Sequence, residues 1–282
     1  MFPVGVYNVE DYPLNWIDGT YYSTYKGNTF QVSSIENVKS EAEYDAVTNI
    51  DLNTQSLTTD FTNTLLSKFS NLNILRCNNN LISVLDVSNL TGLITLNCYD
   101  NSIIVLNVSN LTGLTNLFCY NNSISVLNVS NLTGLTNLYC QNNTISVLDV
   151  SNLTGLTNLL CQSNSISILD VSNLTSLVEL YCHANSISVL DVTNLVNLTD
   201  LRCHANSISV LDVSNLVNLI ELRCHNNQID AATNSQILID LDTNGLSNGY
   251  FQSTIFGGGS LTAAGQTAKT NLLSKGWTIV GI

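Results

Sequence analysis

Leu93-Ile94-Thr95-Leu96-Asn97-Cys98-Tyr99-Asp100-Asn101-Ser102-Ile103 runs on into Ile104-Val105-Leu106-Asn107-Val108-Ser109-Asn110-Leu111-Thr112-Gly113, and together they form one full period of a 21-residue repeat. The repeat is most visible in the cysteines: Cys77, Cys98, Cys119, Cys140, Cys161, Cys182, Cys203 and Cys224 are the only eight in the chain, each 21 residues from the next. Self-similarity at that period marks a solenoid, in which every repeat adds one rung to a stack and touches only its neighbours.

Two further columns are invariant. Leu75, Leu96, Leu117, Leu138, Leu159, Leu180, Leu201 and Leu222 precede the cysteines by two residues. Asn80, Asn101, Asn122, Asn143, Asn164, Asn185, Asn206 and Asn227 follow them by three. Alternate residues of a strand face opposite sides, so Leu96 and Cys98 point inward while Thr95, Asn97 and Tyr99 point outward. A chain leaving a strand exposes backbone N–H and C=O groups to the interior. An amide side chain can satisfy both kinds, which gives the asparagine column its reason.

A less regular rung precedes these, with Val47, Ile50, Leu52 and Leu57 in the apolar places and Gln55 in the asparagine place. The longer step from Leu52 to Cys77 leaves room for a helix over residues 61–69. Nine rungs stacked at about 4.8 Å make a parallel sheet roughly 40 Å long. The expected organisation is an amino-terminal cap or docking segment over 1–46, the solenoid over 47–230, and a modified α/β cap over 231–282. The first segment holds six of the eleven tyrosines and a candidate helix over 34–46. In the last, helices are expected over 231–242 and 261–274, and strands over 250–255 and 277–280.

Composition narrows the function. A net charge of −13 with only eight Lys plus Arg argues against nucleic-acid partners and acidic membrane surfaces. No stretch approaches the ~18 consecutive apolar residues of a membrane span. The opening Met1-Phe2-Pro3-Val4-Gly5 lacks the basic and apolar regions of a secretory signal. The cysteines read as small buried hydrophobes, one per rung. Stacked parallel strands aim neighbouring Cβ atoms the same way, which suits disulfide torsions poorly. Free thiols place synthesis in a reducing cytoplasm.

The pattern L-x-x-L-x-C-x-x-N-x-I resembles the leucine-rich repeat with cysteine in place of the third leucine. The stretch "ISVLDVSNLTGLTNLYCQNN" is similar to the 21-residue bacterial repeats of internalin type. The resemblance implies a repeat solenoid with a parallel β-sheet on the concave face and a mostly irregular convex side. Repeats of the "LDVSNLTGLTNLxC" kind also look like those of Bacteroidetes surface proteins. The tail from "ILIDLDTNGLSNGYFQST" to "KGWTIVGI" looks similar to tails of phage virion or adhesin-like proteins of that group.

Candidate site residues lie in the outward columns beside each strand, which hold every arginine and histidine of the chain. One patch is Tyr99, Phe118, Tyr120, Tyr139, Leu160 and Tyr181, edged by asparagines and glutamines. Exposed aromatics flanked by amides suit a sugar ring or a protein partner, although stacked aromatics can also simply stabilise neighbouring strands. The other is His183, Arg202, His204, Arg223 and His225 beside Glu179, Asp200 and Glu221. It reads either as a solvated salt-bridge lattice or as a site for a polar or anionic ligand. One histidine per rung makes a line and not a tetrahedral cage, so no metal is expected. Cys182 and His183, like their copies Cys203-His204 and Cys224-His225, are adjacent in sequence but face opposite sides, which removes these tempting nucleophile–base pairs. The Asp149, Asp170, Asp191 and Asp212 column reads as turn capping, since Asn107 and Asn128 stand in the same column.

The expected function is therefore non-enzymatic recognition through the concave face, without a cofactor. The ligand is a protein or glycan on a cell surface, and the tail resemblance suggests a phage virion component. The alternative is a structural protein docked to a larger particle, among other virion proteins, through residues 1–46, with the solenoid as spacer.

Overall fold

The computed structural model describes residues 48–54, 56, 57, 63, 66, 67 and 69–282, together with the backbone of 29–31. The expectations for 1–46, apart from that short strand, and for most of the helix over 61–69 lie outside the described residues.

Twelve strands of three residues form one parallel sheet. In order these are β1 (Thr29–Gln31), β2 (Asn49–Asp51), β3 (Ile74–Arg76), β5 (Thr95–Asn97), β7 (Asn116–Phe118), β8 (Asn137–Tyr139), β9 (Asn158–Leu160), β10 (Glu179–Tyr181), β11 (Asp200–Arg202), β12 (Glu221–Arg223), β13 (Tyr250–Gln252) and β14 (Thr278–Val280). Two more short strands, β4 (Val84–Leu85) and β6 (Val105–Leu106), pair on the opposite side of the solenoid. Register never slips: Leu96 sits beside Leu75 and Leu117, and the same column continues through Leu222 to Phe251 and Ile279. A shift of one residue would turn every leucine outward, so the apolar pattern fixes the pairing.

Each rung contributes seven buried apolar side chains; in the period quoted above they are Leu93, Leu96, Cys98, Ile103, Leu106, Val108 and Leu111. All eight cysteines are free and fully buried, and burial raises the thiols of Cys77, Cys140, Cys182 and Cys224 to about 12. Thiols held protonated in this way are inert packing atoms.

The asparagine column performs the task its chemistry suggests. Asn143 Nδ2 donates to the Cys140 carbonyl of its own rung (3.1 Å) and to the Cys119 carbonyl of the rung before (3.0 Å). Its Oδ1 accepts from the Ile124 N–H at 2.9 Å. Asn101, Asn122, Asn164, Asn185, Asn206 and Asn227 repeat the pattern. One residue before each asparagine the backbone is left-handed, with φ of 52–55° from Asn79 through Asp100, Asn121, Asn142, Ser163, Ala184 and Ala205 to Asn226. Asn and Asp tolerate that region; Ala does so at a cost.

The return path is built from turns. Leu90 N–H bonds Val87 O and Leu93 N–H bonds Leu90 O, and the later rungs copy this. Asp170 Oδ1 accepts from both the backbone N–H and the hydroxyl of Ser172, at 3.0 and 2.6 Å. Asn107 and Asn128 accept from Ser109 and Ser130 in the same way. These bonds hold the Asp170 carboxyl below its ordinary range.

After Ile229 the repeat gives way to two longer rungs. Helix α1 (Ala231–Asn244) is capped by Asp230, which accepts from the Thr233 N–H, and ends on left-handed Gly245. It leads into β13. Helix α2 (Ala263–Ser274), capped by Thr262, leads into β14. The helices pack closely where Gly265 lies on Ser235; a Cβ there would meet the serine Cβ at 2.6 Å. Trp277 is buried beneath this layer, with Nε1 bonded to the Leu246 carbonyl. The elements begin and end within a few residues of the sequence expectation, and the strand expected over 250–255 is three residues long, Tyr250–Gln252, where six were expected.

Removing one amide should leave the Ile124 N–H and two carbonyls without partners. Asn143→Ala is expected to lower stability by at least about 1–3 kcal/mol, the cost of a single orphaned buried group, as read by urea unfolding.

Candidate functional site

The sheet face is assembled by parity. In β5 and in β7 through β12 the middle residue is buried and its two neighbours are half-buried and outward. The residue after each buried cysteine of these rungs faces the same side, so three outward columns run along the repeats. Because parallel in-register strands stack like on like, each side chain meets the equivalent residue one rung away.

In the first column Asn137 Nδ2 donates to Asn116 Oδ1 at 2.7 Å, and Asn158 Nδ2 donates to Glu179 Oε2 at 2.7 Å. In the second, Phe118 and Tyr139 meet edge to face with centroids 4.9 Å apart. In the third, Tyr99 and Tyr120 stack at 4.4 Å with planes 6° apart. Leu160 closes the aromatic strip between Tyr139 and Tyr181 in the second column. The sequence reading expected these rings to be exposed. They are half-buried: Tyr99 and Tyr120 cover each other's faces, and Phe118 meets Tyr139 edge to face. Burial and the neighbouring Tyr99 raise the Tyr120 phenol to about 12, so it is un-ionised and can both donate and accept.

The charged end is internally satisfied. Arg202 forks onto Asp200 (Nη2–Oδ2 2.9 Å, Nε–Oδ1 3.1 Å) and also reaches Glu221 at 3.0 Å. Arg223 Nε holds the same Glu221 oxygen at 2.8 Å. The guanidiniums lie over aromatic rings as well, Arg202 at 4.4 Å from Tyr181 and Arg223 at 4.8 Å from Tyr250. The Tyr181 hydroxyl donates to Asp200 at 2.7 Å. With Glu179, three carboxylates face two guanidiniums, so this patch is a salt-bridge lattice with no positive surplus to attract an anion.

His183, His204 and His225 form a continuous stack, with centroids 4.2 and 4.4 Å apart and planes within 12°. Each Nδ1 is buried and has no partner among the described residues. Burial first, and then the adjacent imidazoles and arginines, hold His204 down at about 4; burial likewise lowers His183 and His225. The stack is therefore neutral at pH 7.

All eleven residues singled out from the sequence lie on this one face, in two groups: the rings of Tyr99 through Tyr181, and the lattice and imidazoles after it. Tyr250 and Gln252 extend the first and second columns and escaped the sequence reading, because the 21-residue rhythm breaks before them. The available signal was alternation: Tyr250-Phe251-Gln252 repeats the out–in–out pattern around a fully buried Phe251. Asn78 departs from its outward column and is buried at 3% exposure, with its N–H bonded to Asn53 Oδ1. Cys182 lies under the sheet while His183 stands on it, as strand alternation requires.

The geometry matches proteins of known structure. The functional domain of InlJ from Listeria monocytogenes, whose description includes a cysteine ladder, is similar at 33% identity and a TM-score of 0.71, over 81% of this chain and 48% of that one. The fold is an internalin-like leucine-rich-repeat solenoid. An internalin, InlF, from the same species matches at 21% identity and a TM-score of 0.63, over 95% of this chain and 85% of that one. The ectodomain of the Arabidopsis thaliana receptor kinase GASSHO1/SCHENGEN3, in complex with CASPARIAN STRIP INTEGRITY FACTOR 2, matches at 22% identity and a TM-score of 0.60, over 84% of this chain and 33% of that one. The chain spans about half the length of the InlJ domain. No family model matches the sequence, and no curated protein does. Two neighbours of this fold are described in complexes with protein partners: the GASSHO1/SCHENGEN3 ectodomain with CASPARIAN STRIP INTEGRITY FACTOR 2, and FLRT2 with Latrophilin 3 and Unc5D.

The imidazole stack sets a pH dependence. Its folded-state protonation lies below the ordinary 6.5, so the unfolded chain binds protons first as pH falls. This contribution to stability is complete above pH 6.5 and is lost between 6.5 and about 4. Melting temperature should drop through that window, and less steeply in a His183→Gln, His204→Gln, His225→Gln variant followed by circular dichroism.

Proposed function

We propose that this chain is a recognition protein that binds a protein ligand across the open face of its sheet, with the ring strip of Tyr99, Tyr120, Phe118, Tyr139, Leu160 and Tyr181 as its contact centre. The carrying observation is where the variation lies. Inward columns are fixed from rung to rung, whereas the outward columns change from amide to aromatic to charged. Packing demands the first and leaves the second free. Aromatic side chains with few rotatable bonds and polar tips are the residues that dominate binding hot spots. Here the stacking and the amide ladder hold them in place before a ligand arrives, which lowers the ordering cost of binding. Neighbours of the same fold bind protein ligands in complexes, which supports this partner class.

The lattice of Arg202 and Arg223 with the three imidazoles flanks the strip and acts as a polar rim that sets specificity. Attachment to a host cell surface, as part of a phage virion or as an adhesin, is the setting suggested by the resemblance of the tail. Folding with eight free thiols suits synthesis in a reducing compartment. A glycan is the second ligand class, because stacked rings edged by Asn116, Asn137 and Gln141 offer a sugar both an apolar face and hydrogen bonds.

Screening the chain against arrays of cell-surface proteins and of glycans separates the two classes. Binding to a protein is expected, and Phe118→Ala with Tyr139→Ala should weaken it at least about 30-fold, the loss typical of hot-spot truncation, with folding retained. Binding confined to glycans would move the reading to carbohydrate. A double variant that binds its target as well as the parent would show that the contact centre is elsewhere.

A further inference from the structure

The face opposite the open sheet carries a feature that packing does not explain. In seven successive rungs the position two residues after the buried isoleucine is a β-branched aliphatic residue standing in solvent. Val105, Val126, Val147, Ile168, Val189 and Val210 are 60–79% exposed, and Val84 begins the row at 45%. In each rung the next residue is a leucine that is at most 4% exposed. The chain therefore runs extended here, and the exposure follows from alternation. Among the described residues nothing covers the six from Val105 to Val210, yet seven successive rungs keep a β-branched aliphatic residue in the row.

The row is continuous at the spacing of stacked strands. Each of the six exposes about 100 Å² of apolar surface, roughly 600 Å² together, at the upper end of the largest patches on ordinary monomers. Two such rows removed from water together come to roughly 1,200 Å² before any flanking residue is counted, the area at which stable interfaces begin.

We propose that this aliphatic row is a self-association surface, on which a second copy of the chain docks back to back about a two-fold axis parallel to the solenoid axis. A second copy is the occupant favoured by pitch, because its rungs repeat at the same spacing and each aliphatic side chain meets its equivalent. Charge selects the orientation. Beside the row, two residues further along each rung, runs an exposed line containing Asp149, Asp170, Asp191 and Asp212. Copies packed with their solenoids antiparallel would lay this line against itself. The parallel two-fold lays it over the exposed serines on the other flank, Ser146, Ser167, Ser188 and Ser209, whose hydroxyls can donate to the carboxylates. Between Asp191 and Ser209 the same surface holds a shallow groove of about 400 Å³, lined by Val189, Val210 and Asp212, which gives the partner's side chains somewhere to enter. The resulting dimer leaves both open sheet faces outward, so two ligands can be held at once and avidity gained. The proposal does not depend on the recognition reading.

Sedimentation of the full chain at about 100 µM, where even a micromolar dimer is fully formed, should give twice the 30.6 kDa chain mass. Association should tighten with added salt, since two chains of charge −13 repel. Val147→Asp with Ile168→Asp should weaken the dimer at least about 30-fold without changing the melting temperature of dilute protein, because both sites are exposed. Single cysteines replacing Val126, Val147, Ile168 and Val189 in separate variants should all link to their equivalents through a short bis-maleimide, the buried native thiols staying unmodified. A parent chain that stays monomeric at that concentration, leaving the row for some other protein, overturns the proposal. So does a double variant that dimerises like the parent, or cross-linking at one position only, which is the signature of antiparallel packing.

Discussion

The structure depends on a bond made by one side chain per rung. The invariant asparagine ties the carbonyl of its own cysteine to that of the preceding rung and caps an isoleucine N–H at the same time. In doing so it fixes where the strand ends and where the chain turns back. Hydrophobic burial drives the rungs together, and the apolar alternation sets which residues pair, but burial is non-directional and does not by itself say where the strand stops. The amide does, because it offers two donors and an acceptor in one rigid plane. Once it is seated, the cysteine two residues beyond the leucine must point inward and its neighbours outward.

That constraint divides the chain's chemistry into two populations. Inward atoms are thiols and aliphatic groups, protonated or uncharged, with no access to solvent. Outward atoms carry the titratable and hydrogen-bonding groups, and parallel stacking sets each beside its own kind. Like beside like is comfortable for rings and amides and uncomfortable for charges. The protein resolves this by bringing Glu221 between the two guanidiniums, and by keeping the stacked imidazoles neutral.

Much of this could be read from spacing alone. The interval between cysteines gives the stack, and counting by twos from Leu96 gives the side of the sheet on which Tyr99, Phe118 or His204 stands. Counting cannot reveal how far a ring is covered by the ring one rung away, since that depends on rotamers; this is why the strip proved half-buried. The same holds for Arg202, whose partners lie partly on another rung. The two added rungs were legible as helices and strands, but Tyr250 and Gln252 could be placed in the columns only once the sheet register was known. On the convex side the sequence showed turns, and the pairing of β4 with β6 needed coordinates.

The left-handed residue before each asparagine differs along the stack. Most rungs place Asn or Asp there, whereas the rungs of His183 and His204 place Ala184 and Ala205 at φ 53°. Alanine has no side-chain hydrogen bond to offset that conformation, which costs on the order of 1 kcal/mol. The same two rungs carry imidazoles with no partner for Nδ1. Conformational strain and unmet polarity thus coincide between a regular stack on one side and a helix-capped end on the other. Transient opening of the solenoid should start in the middle of its carboxyl-terminal half, with amide protons exchanging faster there than at the clamped end.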